Sequence, residues 1–313
     1  MTGSPFDLDD NAAYLRWRDS KLAEAPSSVD DLIVDVRDPR ALSEAEHREL
    51  MARIRRCNMV IYASAILDED TDIPRRLGEQ FGLSHLDANW LAGEDGVSEI
   101  RVFDDGTQKH YIPYTDRPIK WHTDGYYNSP EWQIRGMVLH CVRRAARGGE
   151  NRLMDHEMAY LLLREESPEH IHALMQADAM VIPERVDEKD GARPAQGGPV
   201  FSLDEGGNLH MRYTARTRSI AWKHDAATQA AVAALEVGDL EAAAVIDEAQ
   251  RGEGAVEAHQ LDPVGPAVDR DLEAVALALD RDLPPLVVPP DHPPHRGNLP
   301  CSTRTPRWTW PCP

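Results

Sequence analysis

The sequence predicts a mostly β fold with helical insertions, arranged as a jelly-roll barrel. Short apolar or alternating segments recur between residues 58 and 213, turn residues separate several of them, and helical spacing is confined to a few segments. Many short strands with hairpin turns are typical of such β architectures. At 313 residues and 42% hydrophobic, the chain is long enough to bury one large core.

Helices are predicted on both sides of the first strands. Residues 11–22 and 43–57 place apolar side chains at helical spacing, and Ser43 with Glu46 forms a capping box at the start of the second segment. Further helices are predicted at residues 73–81, 154–166 and 168–176. We therefore expect an N-terminal helical layer, with helical insertions later in the chain.

Strands are predicted where β-branched and apolar residues cluster or alternate. The segments are residues 58–64, 98–103, 135–142, 179–183, 200–203 and 209–213, together with the segment around residue 122. Asp104-Asp105-Gly106 predicts a hairpin turn after 98–103, and residues 204–208 predict another between the last two strands.

The tripeptide His122-Thr123-Asp124 carries the most chemical information. On an extended strand the side chains of His122 and Asp124 project to the same side, because successive side chains alternate between faces. Gly125 permits a turn directly afterwards. With a later histidine, these two would form the facial triad of two histidines and one carboxylate that holds Fe(II) and leaves positions open for dioxygen. The pattern favours an oxygenase; the alternative is a surface strand with ordinary polar residues.

Two other pairs compete with this tripeptide. His85 and Asp87 have the same spacing, in a segment that is more typical of a loop. His47 and Glu49 lie within the predicted helix 43–57, where positions i and i+2 diverge by roughly 200° around the axis. The His47 pair therefore cannot share a metal ion.

The residues around His122 resemble a known family. Four segments carry the resemblance, in order and in spacing: 121–128 (WHTDGYYN), 139–142 (LHCV), 148–151 (GGEN) and 155–157 (DHE). They are similar to the iron- and 2-oxoglutarate-dependent dioxygenases of the taurine dioxygenase-like family, over residues 32–236. The resemblance implies the double-stranded β-helix of clavaminate synthase-like proteins, Fe(II) as the metal, and 2-oxoglutarate as a co-substrate that becomes succinate while a small metabolite is oxidised.

The resemblance also implies roles for residues beyond the first pair. A threonine of the family that helps to hold 2-oxoglutarate is replaced here by Asn151, whose amide can still donate to a carboxylate. The family's second histidine ligand precedes an arginine that binds the distal carboxylate of 2-oxoglutarate. His259 and Arg270 have that separation, whereas His292 and His295 lie among prolines that suit an exposed polyproline segment.

The composition changes after residue 236. Residues 237–313 contain no Phe, Tyr, Met or Lys, and they hold twelve of the 23 prolines. Because central strands exclude proline, this segment is a poor candidate for the strands that would complete the barrel. We therefore expect a dioxygenase-like domain over residues 1–236, followed by an atypical tail that is either disordered or the product of a shifted reading frame.

Three residues are candidates for contact with the substrate. Tyr126 and Tyr127 could form an aromatic wall, or enclose a quaternary amine by cation–π attraction, although tyrosines at such positions also pack barrel rims. Arg216, with the nearby Arg218, could bind an acidic substrate through bidentate hydrogen bonds. The alternative is that these arginines pair with surface carboxylates, which are abundant in this chain.

The net charge limits the classes of partner. A formal net charge of −20 opposes binding to phosphate backbones, so we expect no nucleic-acid partner. The first residues lack the basic and apolar regions of a signal peptide, and no run of 18 apolar residues occurs. Four cysteines without metal-ligand spacing suit free thiols. We expect a cytoplasmic protein without a membrane partner. The sequence does not exclude a homo-oligomer.

The sequence therefore predicts an Fe(II)- and 2-oxoglutarate-dependent dioxygenase that acts on a small molecule. Two alternatives remain at this point. One is a non-catalytic member of the family that lacks the distal histidine and arginine, and the other is a metal hydrolase or isomerase that uses a cupin-like barrel.

Overall fold

A computed structural model describes residues 3–66, 68, 70–83, 97–141, 151–187, 191–216, 218 and 220–236, together with the backbone of residues 277 and 278. The chain divides into two compact units, Met1–Leu283 and Pro284–Pro313, and the second unit lies outside the described residues. No helix among the residues described is both long and apolar enough to span a membrane.

Helices and strands alternate in the described part of the chain. The helices are α1 (Asn11–Glu24), α2 (Glu44–Cys57), α3 (Asp72–Glu79), α4 (His156–Glu166), α5 (Pro168–Leu174) and α6 (Ala226–Glu236). The strands are β1 (Ile33–Asp35), β2 (Ile61–Ala63), β3 (Met137–Val138), β4 (Met180–Ile182), β5 (Arg185–Asp187), β6 (Gly191–Arg193), β7 (Gln196–Gly198), β8 (Phe201–Leu203), β9 (Leu209–Met211), β10 (Ala221–Trp222) and β11 (Leu277–Ala278).

The strands form small sheets. One sheet has three antiparallel strands in the order β10, β4, β7, and the others are pairs: β1 with β2 in parallel, and β3 with β11, β5 with β6, and β8 with β9 antiparallel. The fold is therefore a mixture of helices and strands, and helices cover more of the described residues than strands do. The described strands do not close a barrel, so the mostly β description is corrected to a mixed one.

The helix starts follow from local capping. Ser43 and Glu46 form the expected capping box of α2, and the helix ends at Asn58, which adopts the left-handed conformation with φ 58°. The carboxylate of Asp155 accepts from the Glu157 amide and so caps α4. The three predicted segments 11–22, 43–57 and 154–166 are confirmed as α1, α2 and α4.

The hairpin predicted at residues 98–106 is wrong. Described residues 97–107 contain no strand. The apolar side chains of Ile100 and Val102 are 53% and 54% exposed, so no second layer covers the alternating face that would stabilise a strand. The β8–β9 hairpin is confirmed, with its turn closed by a hydrogen bond from the Asp204 amide to the Asn208 carbonyl (3.0 Å).

Two hydrophobic clusters hold the described elements together. The larger one joins α4, α5 and α6 to the strands β4, β8 and β9, and Tyr160, Phe201 and Met180 are fully buried in it. The second packs α2 and α3 against β1 and β2. Burial of an aromatic or aliphatic side chain of this size contributes about 1.5–3 kcal/mol. The larger cluster also includes Tyr126, which follows the candidate metal residues directly.

Candidate functional site

The segment that carries His122 is held against residues 213–215. His122 forms an antiparallel bridge with Thr214. On either side of this bridge, the Thr123 amide donates to the Tyr213 carbonyl (2.9 Å) and the Ala215 amide donates to the Trp121 carbonyl (2.8 Å). The backbone at His122 is therefore fixed by a short two-stranded contact, which is what positions the side chain.

The side chains of His122 and Asp124 converge. The Nε2 atom of His122 lies 3.5 Å from Oδ1 of Asp124, and the two side chains are 31% and 49% exposed. The other ring nitrogen, Nδ1, lies 2.8 Å from the Lys120 carbonyl, so Nδ1 is the nitrogen that donates. With the proton on Nδ1, the lone pair of neutral Nε2 can bind a metal ion.

The surroundings of His122 raise its pKa overall. The carboxylate of Asp124 raises the pKa of His122, and the Lys120 carbonyl adds to this effect. Burial and the nearby guanidinium of Arg216 act in the opposite direction on the same pKa. A group that stabilises a positive charge at Nε2 would also stabilise a bound cation, so the site is electrostatically suited to a metal ion.

Gly125 allows the chain to turn immediately after Asp124. Its φ is +63°, and a Cβ at this position would lie 2.4 Å from Cγ1 of Ile134. The turn is closed by the Asn128 amide, which donates to the Gly125 carbonyl (2.8 Å). Only glycine combines this backbone conformation with such a close approach, so the predicted turn is confirmed.

Tyr126 and Tyr127 follow the turn, and their side chains lie in different environments. Their rings meet edge to face, with centroids 5.2 Å apart. Tyr126 is 9% exposed and belongs to the larger hydrophobic cluster, whereas Tyr127 is half-buried and its ring faces the guanidinium of Arg193 at 5.3 Å. The ring of Tyr127 therefore lies next to a cationic group.

Two arginines that the sequence analysis missed lie around this tyrosine pair. Arg212 donates from Nε to the Tyr126 carbonyl (2.7 Å) and from Nη2 to the Gln196 carbonyl (2.8 Å), and it is only 7% exposed. Arg193 donates to the Pro183 carbonyl (3.1 Å). One feature of the sequence could have identified Arg212: it lies between the apolar residues Met211 and Tyr213. A charged residue at a buried position indicates a special role.

The remaining predicted site residues are less well connected to this centre. Arg216 lies close enough to influence the pKa of His122, and it is the predicted substrate residue that the structure brings near the metal pair. Asn151 is exposed. His85, Asp87, His259, Arg270, His292 and His295 lie outside the described residues. His47 stacks on Phe81 (4.9 Å), as expected for a helix residue without a metal.

His122 and Asp124 fit two positions of a facial triad. Within the described ranges, no group of three His, Cys, Asp or Glu side chains could hold a metal ion. The two donor atoms nevertheless converge, and the histidine is oriented by a backbone carbonyl in the way that metal-binding histidines usually are.

Comparison with known proteins agrees with this chemistry. The family described as taurine catabolism dioxygenase TauD, TfdA family matches residues 21–237. A uridine-5'-phosphate dioxygenase from Amycolatopsis sp. is 34% identical over 215 residues, which cover 63% of this chain and 74% of that protein. The matched region contains the His122 segment, the turn and both arginines. The chain therefore belongs to the TauD/TfdA dioxygenase family and is an oxygenase-type enzyme.

Proposed function

We propose that the protein is an Fe(II)- and 2-oxoglutarate-dependent dioxygenase that oxidises a small metabolite. The observation that carries the proposal is the convergence of Nε2 of His122 and Oδ1 of Asp124, with Nδ1 of the imidazole held by the Lys120 carbonyl. The family membership supports the same reaction class. When bound, Fe(II) supplies the activation of dioxygen that is coupled to decarboxylation of 2-oxoglutarate.

The chain's own residues would hold and orient the reactants. His122 and Asp124 would bind the metal, and His259 is proposed as the third ligand. Arg270 and Asn151 are proposed to bind 2-oxoglutarate, through charge-assisted and amide hydrogen bonds respectively. The jelly-roll domain is proposed to span residues 1–236, which the extent of the family match supports.

The relative supplies a candidate for the substrate class. The Amycolatopsis protein is named for uridine 5'-phosphate. We propose a nucleoside monophosphate as the first substrate class to examine. Tyr126 and Tyr127 would form one wall of the substrate site, and Arg216 would lie near the reacting end because it approaches His122.

The metal assignment is tested with His122→Ala and Asp124→Ala. Each change removes one of at most three protein ligands, so anaerobic titration with Fe(II) and 2-oxoglutarate should give a visible charge-transfer band for the parent protein and none for the variants. The double variant His85→Ala, Asp87→Ala has the same His-x-Asp spacing and serves as the matched control, with its band intact. An unchanged band in His122→Ala would refute the assignment.

Variants of the proposed tail residues His259 and Arg270 test whether this chain catalyses the reaction. His259→Ala should abolish Fe(II) binding, whereas Arg270→Ala should leave Fe(II) bound and weaken 2-oxoglutarate binding roughly thirtyfold, the equivalent of about 2 kcal/mol for a lost charge-assisted contact. If neither change alters either titration, the non-catalytic alternative becomes the better account of the chain. Succinate formation that depends on 2-oxoglutarate separates the dioxygenase from a cupin-like hydrolase or isomerase.

A further inference from the structure

Arg193 and Arg212 are cations that retain unused donors in the protein interior. Nη1 of Arg212 and Nε of Arg193 are buried and have no hydrogen-bond partner. Among the residues that the structure describes, the acceptors of these two guanidinium groups are neutral backbone carbonyls: those of Tyr126 and Gln196 for Arg212, and that of Pro183 for Arg193. A buried donor without a partner is costly, so these atoms indicate a missing acceptor.

The two guanidinium groups also lack a compensating charge. Among the residues that the structure describes, no carboxylate forms an ion pair with either arginine. Burial is the main cause that lowers the pKa of both groups; Arg193 further lowers the pKa of Arg212, while Tyr126 raises and Arg185 lowers the pKa of Arg193. Buried positive charges are unfavourable unless an anion compensates them.

Their location links this charge to the candidate metal site. Arg212 holds the carbonyl of Tyr126, two residues after Asp124, and Arg193 lies over the ring of Tyr127, the next residue along. The backbone at Gly198 approaches Nη1 of Arg212 so closely that a Cβ there would lie 2.9 Å from it. The turn after the metal pair and the two cations therefore form one continuous structure.

We propose that Arg193 and Arg212 bind the phosphate group of a phosphomonoester substrate, beside the His122–Asp124 site. This inference rests on the proposed oxygenase function and identifies which residues recognise its substrate. A phosphomonoester carries a charge of about −1.5 to −2 at neutral pH on a single group with three acceptor oxygens. Two guanidinium groups that contact the neighbouring residues Tyr126 and Tyr127 match that charge, whereas 2-oxoglutarate carries its two single charges at opposite ends of the molecule.

The test measures binding rather than turnover. Calorimetric titration of the full chain with uridine 5'-phosphate, with uridine and with inorganic phosphate is carried out without iron or 2-oxoglutarate. We expect the phosphorylated nucleoside to bind and uridine to bind at least about tenfold more weakly, because the charge-assisted contacts are lost. Arg193→Gln and Arg212→Gln should each weaken binding of uridine 5'-phosphate by at least about tenfold, and Arg193→Lys should restore part of it.

Arg135→Gln is the matched control. Arg135 is an arginine of the same region that pairs with Asp204 (3.3 Å) and is not proposed to bind phosphate, so uridine 5'-phosphate should bind this variant as it binds the parent. Arg212→Gln removes two buried hydrogen bonds, and its folding is checked by circular dichroism. If that variant does not fold, the half-buried Arg193 and its Lys and Gln variants decide the outcome alone.

The outcomes separate this inference from the proposed function. Equal binding of uridine 5'-phosphate to the parent, Arg193→Gln and Arg135→Gln would overturn the phosphate site, even if Fe(II) and 2-oxoglutarate bind normally. Loss of 2-oxoglutarate binding in Arg193→Gln, with phosphate binding unchanged, would overturn it as well, because the pair would then serve the co-substrate. Arginine-dependent phosphate binding in a protein that fails to bind Fe(II) would support this site and refute the oxygenase chemistry.

Discussion

Two regions of the molecule bury charged side chains, and they do so in opposite ways. In the helical region, the ammonium group of Lys21 on α1 contacts the carboxylates of Asp155 and Glu157 and also donates to the Arg56 carbonyl (3.0 Å). In the region beside the candidate site, the described hydrogen bonds of Arg193 and Arg212 go to backbone carbonyls, Arg193 also faces the Tyr127 ring, and each arginine retains an unused donor. Among the residues that the structure describes, two carboxylates contact the cation of the first region, whereas none forms an ion pair with the arginines of the second.

This difference indicates what each region is for. The Lys21 cluster joins α1 to the end of α2 and the start of α4, and the Asp155 carboxylate also accepts from the Asn58 side chain (2.7 Å). The Lys21 ammonium group contacts two carboxylates at close range, which suits a structural contact. In contrast, buried cations without a nearby opposite charge lower the stability of the free protein. The protein regains that stability when an anion binds, as expected of a ligand site.

The largest effect is expected from Lys21→Met. The change leaves the carboxylates of Asp155 and Glu157 buried without their cation, which typically costs about 3–5 kcal/mol. Urea unfolding followed by circular dichroism measures the loss. The matched control is Arg18→Met on the same helix, where the Arg18–Glu165 pair (3.3 Å) is partly exposed and contributes less than about 1 kcal/mol. Equal losses in both variants would contradict the structural role of the Lys21 cluster.

A smaller effect is expected from the pH dependence of His210 on β9. Burial lowers the pKa of His210 from 6.5 to about 4, and the cations Arg135, His156 and Arg212 contribute in the same direction. The unfolded chain therefore takes up a proton below pH 6.5 that the folded chain does not, so stability is complete above that pH and falls as the pH drops towards 4.

The expected loss is about 2 kcal/mol between about pH 7.5 and about pH 5. Urea unfolding at the two pH values measures it in the parent protein and in His210→Gln, where this part of the pH dependence should disappear. His172→Gln, at an exposed position of α5, should keep the parental dependence. A pH dependence that persists in His210→Gln would show that the buried ring is not its source.

The smallest effect on stability is expected from Arg193→Met, the counterpart of Lys21→Met in the second region. Among the described residues, no carboxylate loses an ion-pair partner when this cation is removed, and its repulsion with Arg212 is relieved. The free energy of unfolding should change by less than about 1 kcal/mol, although phosphate binding is lost. A loss comparable to that of Lys21→Met would remove the distinction between the two regions and assign Arg193 a structural role.

The sequence predicted the parts of the fold whose causes are local. The capping box of Ser43 and Glu46, the cap at Asp155 and the turn at residues 204–208 depend on residues only a few positions apart. Helix α6 was missed although its signal is local, because Asp225 caps its start and alanine, the best helix former, fills the segment. The strand at residues 98–103 failed because alternation stabilises a strand only where a second layer covers one face.

For the proposed site, local sequence patterns were enough to predict which residues would carry the chemistry. His122, Asp124 and Gly125 follow from the two-residue period of an extended segment and from the conformational freedom of glycine, both of which are local. Only the tertiary structure decided that Arg193 and Arg212, which lie far along the chain, meet the tyrosines of that turn. Whether their positive charges are compensated depends on which carboxylates lie near them in space, and distance along the sequence carries no information about this.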